Sequence, residues 1–197
     1  MEAMETQNEI RDGLTGLLTP KDGLGKLEMA VRNCAEVALV FVDIDYFKTY
    51  NEFFGHGSGD EKLVEIAREI ENGSGENALV FRYGGDEFGV IFYESPLENA
   101  RQIAEKIRAA RKPVFVTSSG KEVATLTLSL GIAHFPTHVS NAENLLAAAY
   151  LALLKAKGEG KEGGRWPDGT PYSARNRVMA IGDFLDDFPE QSARFLK

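Results

Sequence analysis

Apolar and polar positions alternate along the chain in a way that divides it into short helical and strand-like stretches. Thr19 is a natural N-cap with Pro20 at the first helical position, and Leu24, Leu27 and Val31 then recur on one face, predicting a first helix. Val37 to Val42 is an unbroken apolar run, the signature of a strand covered on both faces. Leu63, Ile66, Ala67 and Ile70 repeat with helical spacing and predict an amphipathic helix over residues 57–72. Ala78 to Tyr83 and Glu87 to Tyr93 read as two strands joined through Gly84-Gly85, glycines that tolerate the positive φ of a tight hairpin. Ser95-Pro96-Leu97-Glu98 and Ser140-Asn141-Ala142-Glu143 read as capping boxes, opening helices that run to about Arg111 and Lys157. Thr117 to Gly120 reads as a turn, Val123 to Phe135 as β-rich, and Gly158 to Ser173 as a loop rich in glycine, proline and charge. Helices interspersed with a mixed sheet predict one α/β (α+β) domain.

Composition narrows the function classes. The 197 residues, 43% of them hydrophobic, suffice for one domain with a full core. No apolar run approaches the roughly 20 residues that span a bilayer, and Met1 to Arg11 is too polar for a signal peptide. With 22 Lys and Arg against 30 Asp and Glu the chain is acidic, which argues against a general nucleic-acid coat. The single cysteine, Cys34, excludes an intrachain disulfide or a cysteine-based zinc cluster, and its place in a helical pattern predicts a small buried residue. A cytoplasmic location is the expectation.

Candidate chemistry begins where the buried strand ends. Asp43 in Val42-Asp43-Ile44-Asp45 places a carboxylate at the C-terminal edge of a central strand, a usual place for ligand chemistry in such sheets. Asp86-Glu87 follows the glycine pair, and packing of the hairpin beside the strand would let Asp43 and Asp86 converge. Acidic oxygens without cysteine or clustered histidine suit a hard cation, Mg²⁺ or Mn²⁺, with open positions for phosphate oxygens. Two carboxylates, a metal and an antiparallel hairpin are what a palm-type nucleotidyl transferase needs. Taken alone, either acidic pair reads as a solvated turn, Asn51 as a helix cap and Asp60 as a first-turn acid. His56 reads as a structural hydrogen-bonder in a loop, and His134 and His138 lack ligand spacing.

Arg82-Tyr83-Gly84-Gly85-Asp86-Glu87-Phe88 carries a full GGDEF signature, and the chain closely resembles a GGDEF domain, the catalytic module of diguanylate cyclases. Further segments match that family: Asp12-Gly13-Leu14-Thr15-Gly16-Leu17, then Asp43-Ile44-Asp45-Tyr46-Phe47-Lys48 with Asn51, Gly55-His56 and Gly59-Asp60, and Leu128 to Ala133. The resemblance implies a palm-like fold over residues 12–179, with 1–11 as the end of a signalling helix and 180–197 as an amphipathic extension carrying Phe184, Leu185, Phe188, Phe195 and Leu196. It implies condensation of two GTP into cyclic di-GMP, with release of two pyrophosphates, across a transient homodimer that a sensor domain or protein can regulate. Asp43, the Ile44 carbonyl and Asp86 would hold two ions of Mg²⁺ or Mn²⁺ per GTP, and Glu87 would help deprotonate the attacking 3′-hydroxyl. Tyr46, Phe47 and Lys48 would cradle the β- and γ-phosphates, a reading that agrees with the anion affinity of unpaired N–H groups at a helix start. Asn51 and Asp60 would read the guanine edge, Leu14 and Leu63 would touch the base, and Lys157 would bind phosphate together with either Lys161 or Arg175.

Three departures from the pattern stand out. The slot for the family's inhibitory Arg-x-x-Asp holds Gly75-Glu76-Asn77-Ala78, so the primary feedback contact is expected to be missing. Thr19-Pro20 replaces the usual Asn-Arg, and Tyr150 stands where an acid is usual in the last helix. Two readings follow: an active diguanylate cyclase, favoured by the intact signature, or a GTP-binding interaction module that keeps the fold.

Overall fold

A computed structural model describes residues 9–118, 121–158 and 175–184. Its centre is a five-stranded sheet in the order β2-β3-β1-β6-β7, where β1 is Val37–Ile44, β2 Ala78–Gly84, β3 Glu87–Tyr93, β6 Leu128–Phe135 and β7 Val178–Ala180. All its pairings are antiparallel except β6 with β7. A separate hairpin joins β4, Val114–Ser118, to β5, Lys121–Leu126. Helices α1 (Pro20–Asn33), α2 (Phe47–Ser74), α3 (Leu97–Ala110) and α4 (Ala142–Lys157) cover the sheet.

The two-residue period of β1 sorts its side chains between two cores. Ala38, Val40, Val42 and Ile44 pack toward Ile66, Ala67 and Ile70 of α2 and Ala100, Ala104 and Ile107 of α3. Val37, Leu39 and Phe41 pack toward Leu27 of α1 and Leu145, Ala149, Ala152 and Leu153 of α4. Every residue of β1 is buried, as its unbroken apolar run requires. Asp43 continues the odd-numbered set and therefore lies on the α4 side of the sheet. At Gly131 in β6 an added Cβ would lie 2.0 Å from the backbone nitrogen of Leu153, so this glycine lets α4 rest directly on the strand.

Several boundaries differ from the sequence reading. The helix expected over 57–72 begins at Phe47 and breaks at Gly55, whose φ of 82° and ψ of 159° suit glycine alone. The apolar face of its first turns is Phe47 and Tyr50, too short a stretch to register as periodicity. Asn51 therefore lies inside a helix and caps nothing, and His56 is helical. The hairpin turn is Gly85-Asp86, with Gly84 still in the strand and positive φ only at Gly85. Neither Ser95 nor Ser140 caps a helix: Ser95 accepts a hydrogen bond from the Asn99 amide at 3.0 Å, and Asn141 caps α4 by accepting from Asn144 N. Cys34 is half-buried at the C-cap of α1 rather than fully buried. Phe184 packs into the α1–α4 core, while Leu185, Phe188, Phe195 and Leu196 lie outside the described residues. Among the described residues no helix is long and apolar enough to cross a membrane.

His134 and His138 are structural. The His134 amide donates to His138 Nδ1 at 3.1 Å, an acceptor that exists only while His138 is neutral at that nitrogen. Burial, with His134 and Arg101 nearby and only Asp183 opposing, pushes the His138 pKa down to about 4. The unfolded chain thus takes up a proton near the ordinary histidine pKa that the native state refuses until about pH 4. Stability should fall as pH drops through this window, by up to roughly 3 kcal/mol from this one group. Denaturant melts across that range should show the loss, and His138→Gln should flatten it.

Candidate active site

The Gly85-Asp86 turn brings the second acidic pair against the end of β1. Asp43 is the register partner of Glu87, and Ile44 N donates to the Asp86 carbonyl at 3.3 Å. Asp86, in the turn, thus lies near Asp43 at the end of the neighbouring strand, close enough for its charge to act on the Asp43 carboxyl. Asp43 is 4% exposed, and burial pushes its carboxyl up to about 7, with the charges of Asp86 and Asp45 adding to the effect and Lys157 opposing it. Burial also raises Asp86, against the pull of Lys157, Arg175 and Arg82. Lys157 Nζ, at the end of α4, lies 3.1 Å from Asp43 Oδ2.

Among the described residues no group of three or more His, Cys, Asp or Glu side chains is placed to hold a metal. Two carboxylates with the adjoining Ile44 carbonyl form a hard-oxygen set that leaves positions open for substrate oxygens, which fits Mg²⁺ or Mn²⁺ better than a closed structural site. These residues therefore fit the divalent cation that the sequence implies.

A cavity of about 490 Å³ extends from this point along α2, lined by Phe47, Lys48, Asn51, Asp60, Leu63 and Asp86 among others. Tyr46, at φ 60°, turns the chain from β1 into α2 and leaves the first N–H groups of the helix without a side-chain cap. Lys48 is 92% exposed at the rim. Of the expected residues, Leu14, Asp43, Ile44, Tyr46, Glu87 and Lys157 are not among those that line this cavity; Leu14 is exposed, Tyr46 stacks beneath the Arg175 guanidinium at 4.8 Å, and Asp43 lies buried behind the Asp86 turn. Glu87 is half-buried in β3 opposite Asp43, and Lys161 lies outside the described residues.

Sequence reasoning gave no role to Asp45, which is fully buried. Its carboxylate accepts from Thr127 Oγ1 at 2.6 Å, Ser129 Oγ at 2.8 Å, Arg175 Nη1 at 3.1 Å and Asn176 N at 3.1 Å. The signal was available: an acid ending an otherwise apolar buried strand must find donors elsewhere in the chain. Arg82 was likewise passed over. It bonds Asp12 at 3.1 Å and the Gly85 carbonyl at 2.7 Å, tying the opening turn, where Asp12 also accepts from Thr15, to the hairpin. Tyr150, in place of the usual acid, sets its ring edge-on to Phe41 at 5.8 Å. The 75–78 slot borders a small cavity flanked by Glu76 and Glu94, a poor setting for an anionic product.

Comparison with known proteins defines the class. The family model described as "Diguanylate cyclase, GGDEF domain" matches residues 9–163, and the chain belongs to this family. It is 34% identical over 158 residues to response regulator PleD of Caulobacter vibrioides, covering 77% of this chain and 35% of that protein. It is 38% identical over 153 residues to diguanylate cyclase TpbB of Pseudomonas aeruginosa, covering 74% and 34%. The chain thus spans about one third of the length of these relatives. The GGDEF domain of DgcB from Caulobacter crescentus, solved in complex with c-di-GMP, superimposes with a TM-score of 0.70 at 27% identity, covering 87% of this chain and 95% of that one. The GGDEF domain of TpbB gives a TM-score of 0.68 at 34% identity, covering 88% and 96%.

Proposed function

We propose that this domain is a diguanylate cyclase, condensing two GTP into cyclic di-GMP and releasing two pyrophosphates. One observation carries the reading: a single cavity has Asn51 and Asp60 among its lining residues together with Asp86, whose turn abuts Asp43 at the end of β1. That lining matches the two ends of a nucleoside triphosphate. The family match and the diguanylate cyclase among its relatives support the same reading.

Asp60 would accept from the guanine N1–H and 2-amino group, a pairing that adenine, with an acceptor at N1, cannot make. Asn51 would meet the same edge, and Leu63 and Phe47 supply apolar wall. Lys48 and the free N–H groups at the start of α2 would take the β- and γ-phosphates. Lys157 would leave Asp43 for phosphate oxygens, and Arg175, which lies over Tyr46, would serve as the second cation. Asp43, the Ile44 carbonyl and Asp86 would hold Mg²⁺ or Mn²⁺, which supplies charge stabilisation for the attacking and leaving oxygens. The 3′-oxygen of one GTP forms a bond to the α-phosphorus of the other, the bond from that phosphorus to the β-bridging oxygen breaks, and the 3′-proton passes to a base for which Glu87 is the candidate. Repeating the step in the opposite sense closes the ring.

Because each domain holds one GTP, two copies must meet. Initial velocity in GTP and Mg²⁺ should rise with about the square of enzyme concentration while the dimer is scarce, and a fused dimerising helix should raise the rate at fixed concentration. A dilution series with mass identification of the product checks both. First-order dependence in a chain that sedimentation shows to be monomeric would contradict the half-site mechanism, and absence of any cyclic dinucleotide would favour the interaction-module reading.

A further inference from the structure

Asn51 and Asp60 stand on the two segments of α2, on either side of the break at Gly55. Between them lies Gly59, which is buried. A Cβ added there would fall 1.8 Å from Asn51 Oδ1 and 2.9 Å from its Cγ, separations that no real side chain can hold. The Asn51 carboxamide is therefore seated against the bare Cα of Gly59. Asn51 Oδ1 is a buried atom with no hydrogen-bond partner, an arrangement that carries a cost unless something outside the chain offsets it. Glycine within a helix is also unfavourable relative to alanine, so helix formation does not explain its presence. Gly55 differs: its backbone angles demand glycine, but an added Cβ would meet nothing.

We propose that Gly59 is a specificity-determining positioning residue, whose missing side chain holds the Asn51 carboxamide in the cavity wall beside Asp60. The inference rests on reading this cavity as a guanine-nucleotide site. With alanine at position 59, Asn51 must rotate toward the cavity, where it takes up space meant for the base and loses its alignment with Asp60. The effect should fall on base recognition and leave the carboxylate end untouched.

The test is calorimetric binding, with Mg²⁺ present, of GTP and ATP analogues carrying a methylene bridge between the α- and β-phosphorus. Gly59→Ala should weaken the GTP analogue by at least about tenfold and the ATP analogue far less, so that discrimination collapses. Asn51→Ala should weaken the GTP analogue similarly, and the double variant should bind no worse than Asn51→Ala alone. In the Asn51→Ala background the clash is gone, and Gly59→Ala should raise Tm by about 2–4 °C through helix propensity. If Asn51→Ala weakens binding and Gly59→Ala stays within twofold of wild type, the proposal is wrong and the guanine reading survives. Unchanged binding in Asn51→Ala overturns that reading itself. Should Gly59→Ala fail to fold, a folded double variant supports the contact with Asn51, and an unfolded one refutes it.

Discussion

Replacing Asp86 with alanine is expected to lower cyclic di-GMP formation by at least about 10³-fold, and Asp43→Ala should do the same. Each removes an oxygen donor from the place where charge develops during displacement at the α-phosphorus. Asp86 is half-buried in a turn whose backbone is set by Gly85, and no hydrogen bond of its side chain to another described residue is lost in the variant, which should retain the wild-type melt. The same site predicts a pH dependence. Burial holds Asp43 up to about 7, so a cation binding at neutral pH displaces protons, and affinity should rise as pH climbs through about 7. Mn²⁺ titration followed by electron paramagnetic resonance, compared below and above that value, reads this without turnover. Activity near wild type in either alanine variant, or metal affinity that falls with rising pH, would sink the assignment.

The second large effect is expected at Asp45. Asp45→Ala leaves the Thr127 and Ser129 hydroxyls, the Asn176 amide and the Arg175 guanidinium without the buried carboxylate that all four share. Breaking a buried charged network from one side typically costs about 3–5 kcal/mol. The loss should show in denaturant melts, together with a raised KM for GTP because Arg175 loses the carboxylate that fixes it at the site. Asp45→Asn keeps the shape and should recover part of the stability. A melt unchanged in Asp45→Ala would mean that these hydrogen bonds contribute little to the fold.

Much of this was legible in the sequence because its signals are local. The apolar run Val37–Val42 announced a strand buried on both faces, and the two acidic pairs announced carboxylates at a sheet edge. Their convergence needed only the hairpin register that places Asp43 opposite Glu87. The start of α2 was hidden because its first turns bury only Phe47 and Tyr50 before Gly55 breaks the helix. The burial of Asp45 was legible from its place at the end of that apolar run, but its partners were not: they lie 82 to 131 positions further on, and no local pattern reports contacts at that range. Gly59 is only eight positions from Asn51, but the break at Gly55 between them disrupts the helical spacing by which their contact could have been read.

The break at Gly55 also divides the site by local stability. Asp43 lies on the central strand of the sheet, bonded on both sides, whereas Asn51 stands on a short helical segment whose hydrogen-bond ladder is interrupted by one glycine. Opening that segment exposes only Phe47 and Tyr50 from the core, so it is separable from global unfolding, while exposing Asp43 requires the sheet itself to part. Asp43 thus sits on the part of the fold expected to open last and the segment carrying Asn51 on a part expected to fray first, so a nucleotide held as proposed would gain and lose its base contacts there while Asp43 stays in place.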